Sequence, residues 1–133
     1  MLRPLLIPLS LPILMLILAA CGNDQSPGPA SYEEGLERQG RLVREITTVL
    51  QTVEDEESAA QVAPRIEALS RELQTLAVQM NALPPLSWEE QDRLTRERAG
   101  RAAERKEAGR QMLKIERYPV LQQAWQRGMQ AAD

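Results

Sequence analysis

The chain predicts an all-α fold, an antiparallel helical hairpin extended to a three-helix bundle with a short C-terminal helix. Three observations predict it. Apolar residues recur at helical spacing over most of residues 32–130. The residue types are those of helices, with many Leu, Ala, Glu, Gln and Arg, no Phe, and only Tyr32, Trp88, Tyr118 and Trp125 as aromatics. Few β-branched residues remain from which to build a sheet.

The front of the chain lies outside that pattern. Met1-Leu2-Arg3-Pro4 opens an apolar run from Leu5 to Ile17, and Leu18-Ala19-Ala20-Cys21 closes it. One cation, an apolar stretch and small residues before a cut site are the layout of a signal peptide over residues 1–20. A spanning anchor or plain secretion is the alternative, because a span of roughly 17 apolar residues is tolerated. Pro8, Pro12 and the lack of a closing Lys/Arg cluster argue against the anchor.

Leu18-Ala19-Ala20-Cys21 resembles the lipobox of bacterial lipoproteins. The resemblance implies cleavage between Ala20 and Cys21, a thioether-linked diacylglycerol on Cys21 and acylation of the new amine. The protein is then anchored in the cell envelope by lipid. In proteins with this motif, Asp directly after the cysteine favours the inner membrane. Gly22 therefore points to the periplasmic side of the outer membrane if the cell is Gram-negative. Cys21 is the only cysteine, so no disulfide forms within one chain.

Removing residues 1–20, whose one charge is Arg3, leaves 113 residues with a formal net charge of −4. That length fits one domain. Residues 21–31 read as the lipidated cysteine and a flexible tether, rich in Gly, Pro, Ser and Asn, and residues 32–133 as the helical domain.

The first helix is expected over about 32–54. Leu36, Val43, Ile46, Leu50 and Val53 share a stripe, with Leu42 and Val49 beside it and Gln39 as its polar exception. Gly35 and Gly40 weaken its first turns by about 1 kcal/mol each. Glu54-Asp55-Glu56-Glu57-Ser58 follows. Without the central Gly and alternating Asp of a calcium loop, it reads as a helix start: Asp55 or Ser58 as cap, Ser58-x-x-Gln61 as capping box.

The second helix, about 56–82, carries the clearest period. Val62, Ile66, Leu69, Leu73, Leu76, Met80 and Leu83 alternate steps of four and three, a heptad seam that packs lengthwise on neighbours. Pro64 interrupts the pattern and predicts a bend or break near Ala63. Pro84-Pro85 ends the helix, and Ser87 with Glu90 restarts one as a capping box.

The third helix is expected over about 88–117. Its middle offers only Ala99, Ala102, Ala103, Ala108 and Gly109 as an interior, a small-residue face that would let backbones approach closely. Tyr118-Pro119 breaks it, and a last helix over about 119–130 presents Leu121, Ala124, Trp125 and Met129. From Val49-Leu50-Gln51-Thr52-Val53-Glu54 through the seam to Pro119-Val120-Leu121, the chain resembles helical segments of exported bacterial proteins that are themselves uncharacterised. That resemblance implies an extracytoplasmic helical domain and no activity.

Catalytic chemistry has little to work with. There is no His, and the cysteine is committed to lipid. The serines have no base beside them in sequence, and glycine-rich phosphate loops are absent. No enzyme, no cofactor and no metal site is expected. Charge is the remaining lead: residues 32–57 carry eight acids and three bases, residues 89–117 seven acids and nine bases. The plain reading is a salt-bridged surface between first and third helices.

The functional reading is an anionic-ligand face at Arg98, Arg101, Arg105 and Arg110. Two function classes follow. The first is a membrane-tethered structural or protein-interaction lipoprotein that binds an envelope partner or a second copy on the uncovered side of the first two helices. The alternative is a peripheral binder of anionic lipid or cell-wall polymer. Nucleic acid is not expected outside the cytoplasm.

Overall fold

A computed structural model describes residues 27–130. The expected signal peptide, Ala20 and Cys21, and most of the expected tether, lie outside the described residues. Within them the chain is all-α: five helices and no strand. They are α1 (Tyr32–Gln51), α2 (Glu56–Asn81), α3 (Trp88–Ala99), α4 (Ala102–Arg117) and α5 (Pro119–Gln130).

Ser31 caps α1 by accepting from the Glu34 N–H at 3.1 Å, and Glu33 and Glu34 face the positive end of the helix. The first turns hold despite Gly35, because Gly35 is a contact point. The Met80 side chain of α2 lies so close that a Cβ there would overlap its Cγ and Sδ. Residues 27–31 are fastened to this end rather than free: Pro29 is buried, and Arg38 donates to the Pro27 carbonyl at 2.8 Å.

α2 begins with a capping box set three residues earlier than Ser58-x-x-Gln61, with Asp55 as the cap. The Ser58 N–H donates to the Asp55 carboxylate at 2.8 Å, and the Asp55 N–H donates back to the Ser58 hydroxyl at 3.0 Å. The seam is confirmed, with Ile66 and Leu69 fully buried and Leu76 and Met80 nearly so. The break near Ala63 does not occur, and α2 is continuous through Pro64. Pro64 and Ala60, whose carbonyl loses its partner, are both on the exposed side of the helix, where solvent is within reach, while Ala63 and Ile66 beside them pack into the core.

The third helix is two. The Ser87–Glu90 box starts α3 as expected, but the helix ends at Ala99, and Gly100-Arg101 separates it from α4. The small residues there are not an interface: Ala99, Ala102, Ala103 and Gly109 are exposed, and nothing lies within 4 Å of a Cβ built on Gly109. Alanine is at home on an exposed helix face because it forms helix well without a partner. Past that stretch, Ile115 is buried and Met112 packs on the core.

The close approach occurs elsewhere. Tyr118 takes the extended backbone required before Pro119, turning the chain into α5. There Leu121 and Ala124 are fully buried, and Gly128 presses on Ser70, Glu67 and the backbone of Arg71. The short last helix is thus a main partner of α2. The core joins Ile46, Leu50 and Val53 with Ala59, Ala63, Ile66 and Leu69, closed by Ile115, Leu121 and Ala124. It occupies the half of the bundle where α1 ends and α2 begins.

Candidate functional site

α3 and α4 run the same way as α1, and polar contacts fix the register. The Arg93 guanidinium meets both oxygens of Glu33 at 2.9 and 3.1 Å. Arg44 meets Glu104 at 3.4 Å. Lys114 donates to the carbonyls of Leu50 and Val53 at 2.9 and 3.0 Å. The expected match of an acidic first helix with a basic third one holds at Glu33–Arg93 and is reversed at Arg44–Glu104.

Between these ties the helices stand apart, leaving a cleft of about 360 Å³. Its apolar lining is Leu36 and Val43 of α1, with Gly40 between them, and Leu94 and Ala108 of α3 and α4, which also contribute Arg98, Arg105 and, from the link between them, Arg101. Those three arginines are exposed and have no acidic partner among the described residues. Glu37 is the one lining carboxylate likewise without a cation, and Glu33 and Glu97 share Arg93. The cleft is thus nearly balanced in total charge, while its positive charge is gathered on the three unpaired arginines. The fourth predicted arginine, Arg110, lies outside it and pairs with Glu107 at 2.8 Å.

Electrostatics support that division. The hydrogen bond and charge of Arg93 hold the Glu33 carboxyl below its ordinary value of 4.5. The same pair raises Arg93, with Glu97 adding at 3.0 Å. The Arg110 and Gln111 side chains likewise lower Glu107. Paired groups are therefore held in their charged forms, and their charge is already answered within the fold. Arg98, Arg101 and Arg105 have no such answer.

A second cleft, about 880 Å³, runs between α1 and α2. Here Arg38 pairs with Glu34, Arg71 with Glu67 and Arg65 with Glu45, and Arg41 adds its charge near Glu34. It is a balanced, solvated flank. Leu36, Gly40 and Val43 were legible in sequence as helix positions but not as a cleft wall, because the stripe alone does not tell which side lacks cover. Among the described residues no group of three or more acidic or Cys side chains is arranged to hold a metal ion. No helix among them is long and apolar enough to cross a membrane.

Comparison with protein-family models, with curated proteins and with solved structures finds no match.

Proposed function

We propose that this chain is an envelope lipoprotein, anchored through lipid on Cys21, whose helical domain is a non-enzymatic protein-interaction module. The cleft between α1 and α3–α4 is where its partner docks. One observation carries this reading: Arg98, Arg101 and Arg105, all without acidic partners, line the same cleft as Leu36, Val43 and Leu94. A partner segment with an apolar face and an acidic edge fits both features, as in helix-in-groove recognition.

Photo-crosslinking from Gly40, in intact cells, tests it. A discrete protein adduct that disappears when Arg98, Arg101 and Arg105 are changed to Gln is the expected result. A homodimer adduct assigns the cleft to a second copy of the chain. No adduct from Gly40, in a protein that still reaches the membrane, removes the cleft as a docking site.

The same arginines favour a second reading, a peripheral binder of anionic lipid or cell-wall polymer. Those contacts would be screened by salt far more than an apolar groove contact. Adducts to lipid or glycan, lost at high ionic strength, select it.

A further inference from the structure

The described chain starts at one particular end of the bundle. Arg38 holds the Pro27 carbonyl, and Gly28 packs on Gln79 near the end of α2. Five residues, 22–26, separate Pro27 from Cys21. Six backbone steps span at most roughly 20 Å, about half the ~39 Å length of a 26-residue helix such as α2. Lipid on Cys21 therefore keeps the end where α1 begins and α2 ends closest to the bilayer.

Large apolar side chains face water at that end, and Leu113 does so at the other. Trp88 is 79% exposed at the first residue of α3, and Val78 is 51% exposed in the last turn of α2. Arg93 is level with Glu33, so Trp88 projects roughly 7.5 Å further, past the start of α1. Pro84 and Pro85 lie exposed just before it. At the opposite end Lys114 and Tyr118, whose hydroxyl donates to the Glu54 carbonyl, tie the chain to the α1–α2 turn. Among the described residues Leu113 stands exposed there alone, rather than beside a tryptophan and two prolines.

We propose that this end rests on the membrane, with Trp88 seated in the lipid headgroup layer. The inference rests on lipidation of Cys21. Trp suits that layer, offering an apolar ring to the acyl boundary and an N–H to the headgroups. The exposed Glu89 and Glu90 beside it fit a zwitterionic surface rather than an anionic one. Seated so, α3 and α4 rise from the membrane, and the cleft begins at the level of Glu33, roughly 7.5 Å beyond Trp88.

Purified mature lipoprotein reconstituted into phosphatidylethanolamine–phosphatidylcholine vesicles tests the seating. The signal of Trp88 is the emission of the natural chain minus that of Trp88→Phe, which leaves the fold's interior untouched. The expected result is a blue shift on reconstitution and loss of that emission when the phosphatidylcholine carries bromine high on its acyl chains. A Trp88 signal that stays water-like and unquenched, in protein whose mass shows acylated Cys21, overturns the seating and leaves the anchor standing. A mass with unmodified Cys21 overturns both.

Discussion

Gly128 of α5 sits directly on Ser70 of α2, and no side chain fits between them. A Cβ at Gly128 would overlap the Ser70 hydroxyl, the Glu67 carbonyl and the Arg71 nitrogen, two of which are backbone atoms that cannot swing aside. Gly128→Ala is therefore expected to destabilise by about 1–3 kcal/mol or more through overpacking. Gly109→Ala is its opposite: in open space on α4, it should stabilise by up to about 1 kcal/mol from helix propensity. Urea unfolding of the two variants checks both signs. Equal effects would remove the close approach of α5.

The turn between α1 and α2 depends on a residue more than sixty positions away. Lys114 Nζ donates to the carbonyls of Leu50 and Val53 at the end of α1, the first of which also accepts from the Val53 N–H at 3.0 Å. Lys114→Met keeps the apolar stem and removes both charge-assisted bonds. The expected cost is about 1.5–3 kcal/mol, measured by urea unfolding. A cost below half a unit would mean that water satisfies those carbonyls equally well.

Acid should weaken the fold through a small set of carboxylates. Glu33 is lowered by Arg93, Glu34 first by the Ala30 N–H and then by Arg38, Asp55 by the Ser58 N–H, and Glu107 by Arg110. A carboxylate whose folded value lies below its unfolded one binds protons more readily in the unfolded chain. Its contribution is present above about pH 4.5 and is lost as pH falls through the folded value. Stability should thus be flat near neutral pH and decline below about pH 4.5. Glu33→Gln should shrink the gap between pH 7 and pH 3. An unchanged gap would remove the Glu33–Arg93 tie from the groups responsible.

Much of this was legible in the sequence, and the failures share a cause. The α2 seam could be read because Ile66, Leu69, Leu76 and Met80 repeat a pattern over many turns. The Ser87–Glu90 box could be read because capping is local. Pro64 misled only as to a break, because its cost depends on whether the freed carbonyl meets water, which is a tertiary fact. The alanines of residues 99–108 misled because small size suits both an interface and a bare helix. Arg98, Arg101, Arg105 and Arg110 stood out together, but only the fold shows that Arg110 is already paired within α4 and the others are not. Gly128 gave no signal, being one glycine in a short apolar helix.

The last helix is where the expected weight and the observed weight differ most, and truncation tests it. A chain ending at Arg117 loses Leu121 and Ala124, both fully buried, and the half-buried Val120 and Trp125 packed around them. Each large side chain returned to water forfeits about 1.5–3 kcal/mol, against a typical total stability of about 5–15 kcal/mol. Ala63, Ile66 and Ser70, now buried, would also face solvent. The truncated chain should therefore retain helix in circular dichroism but melt broadly and bind an apolar dye. Leu121→Ala, which keeps α5 in place, should cost a milder 2–5 kcal/mol or so and still melt cooperatively. A truncated chain that unfolds as sharply as the full one, at a similar midpoint, would show that α1, α2 and α4 close the core without α5.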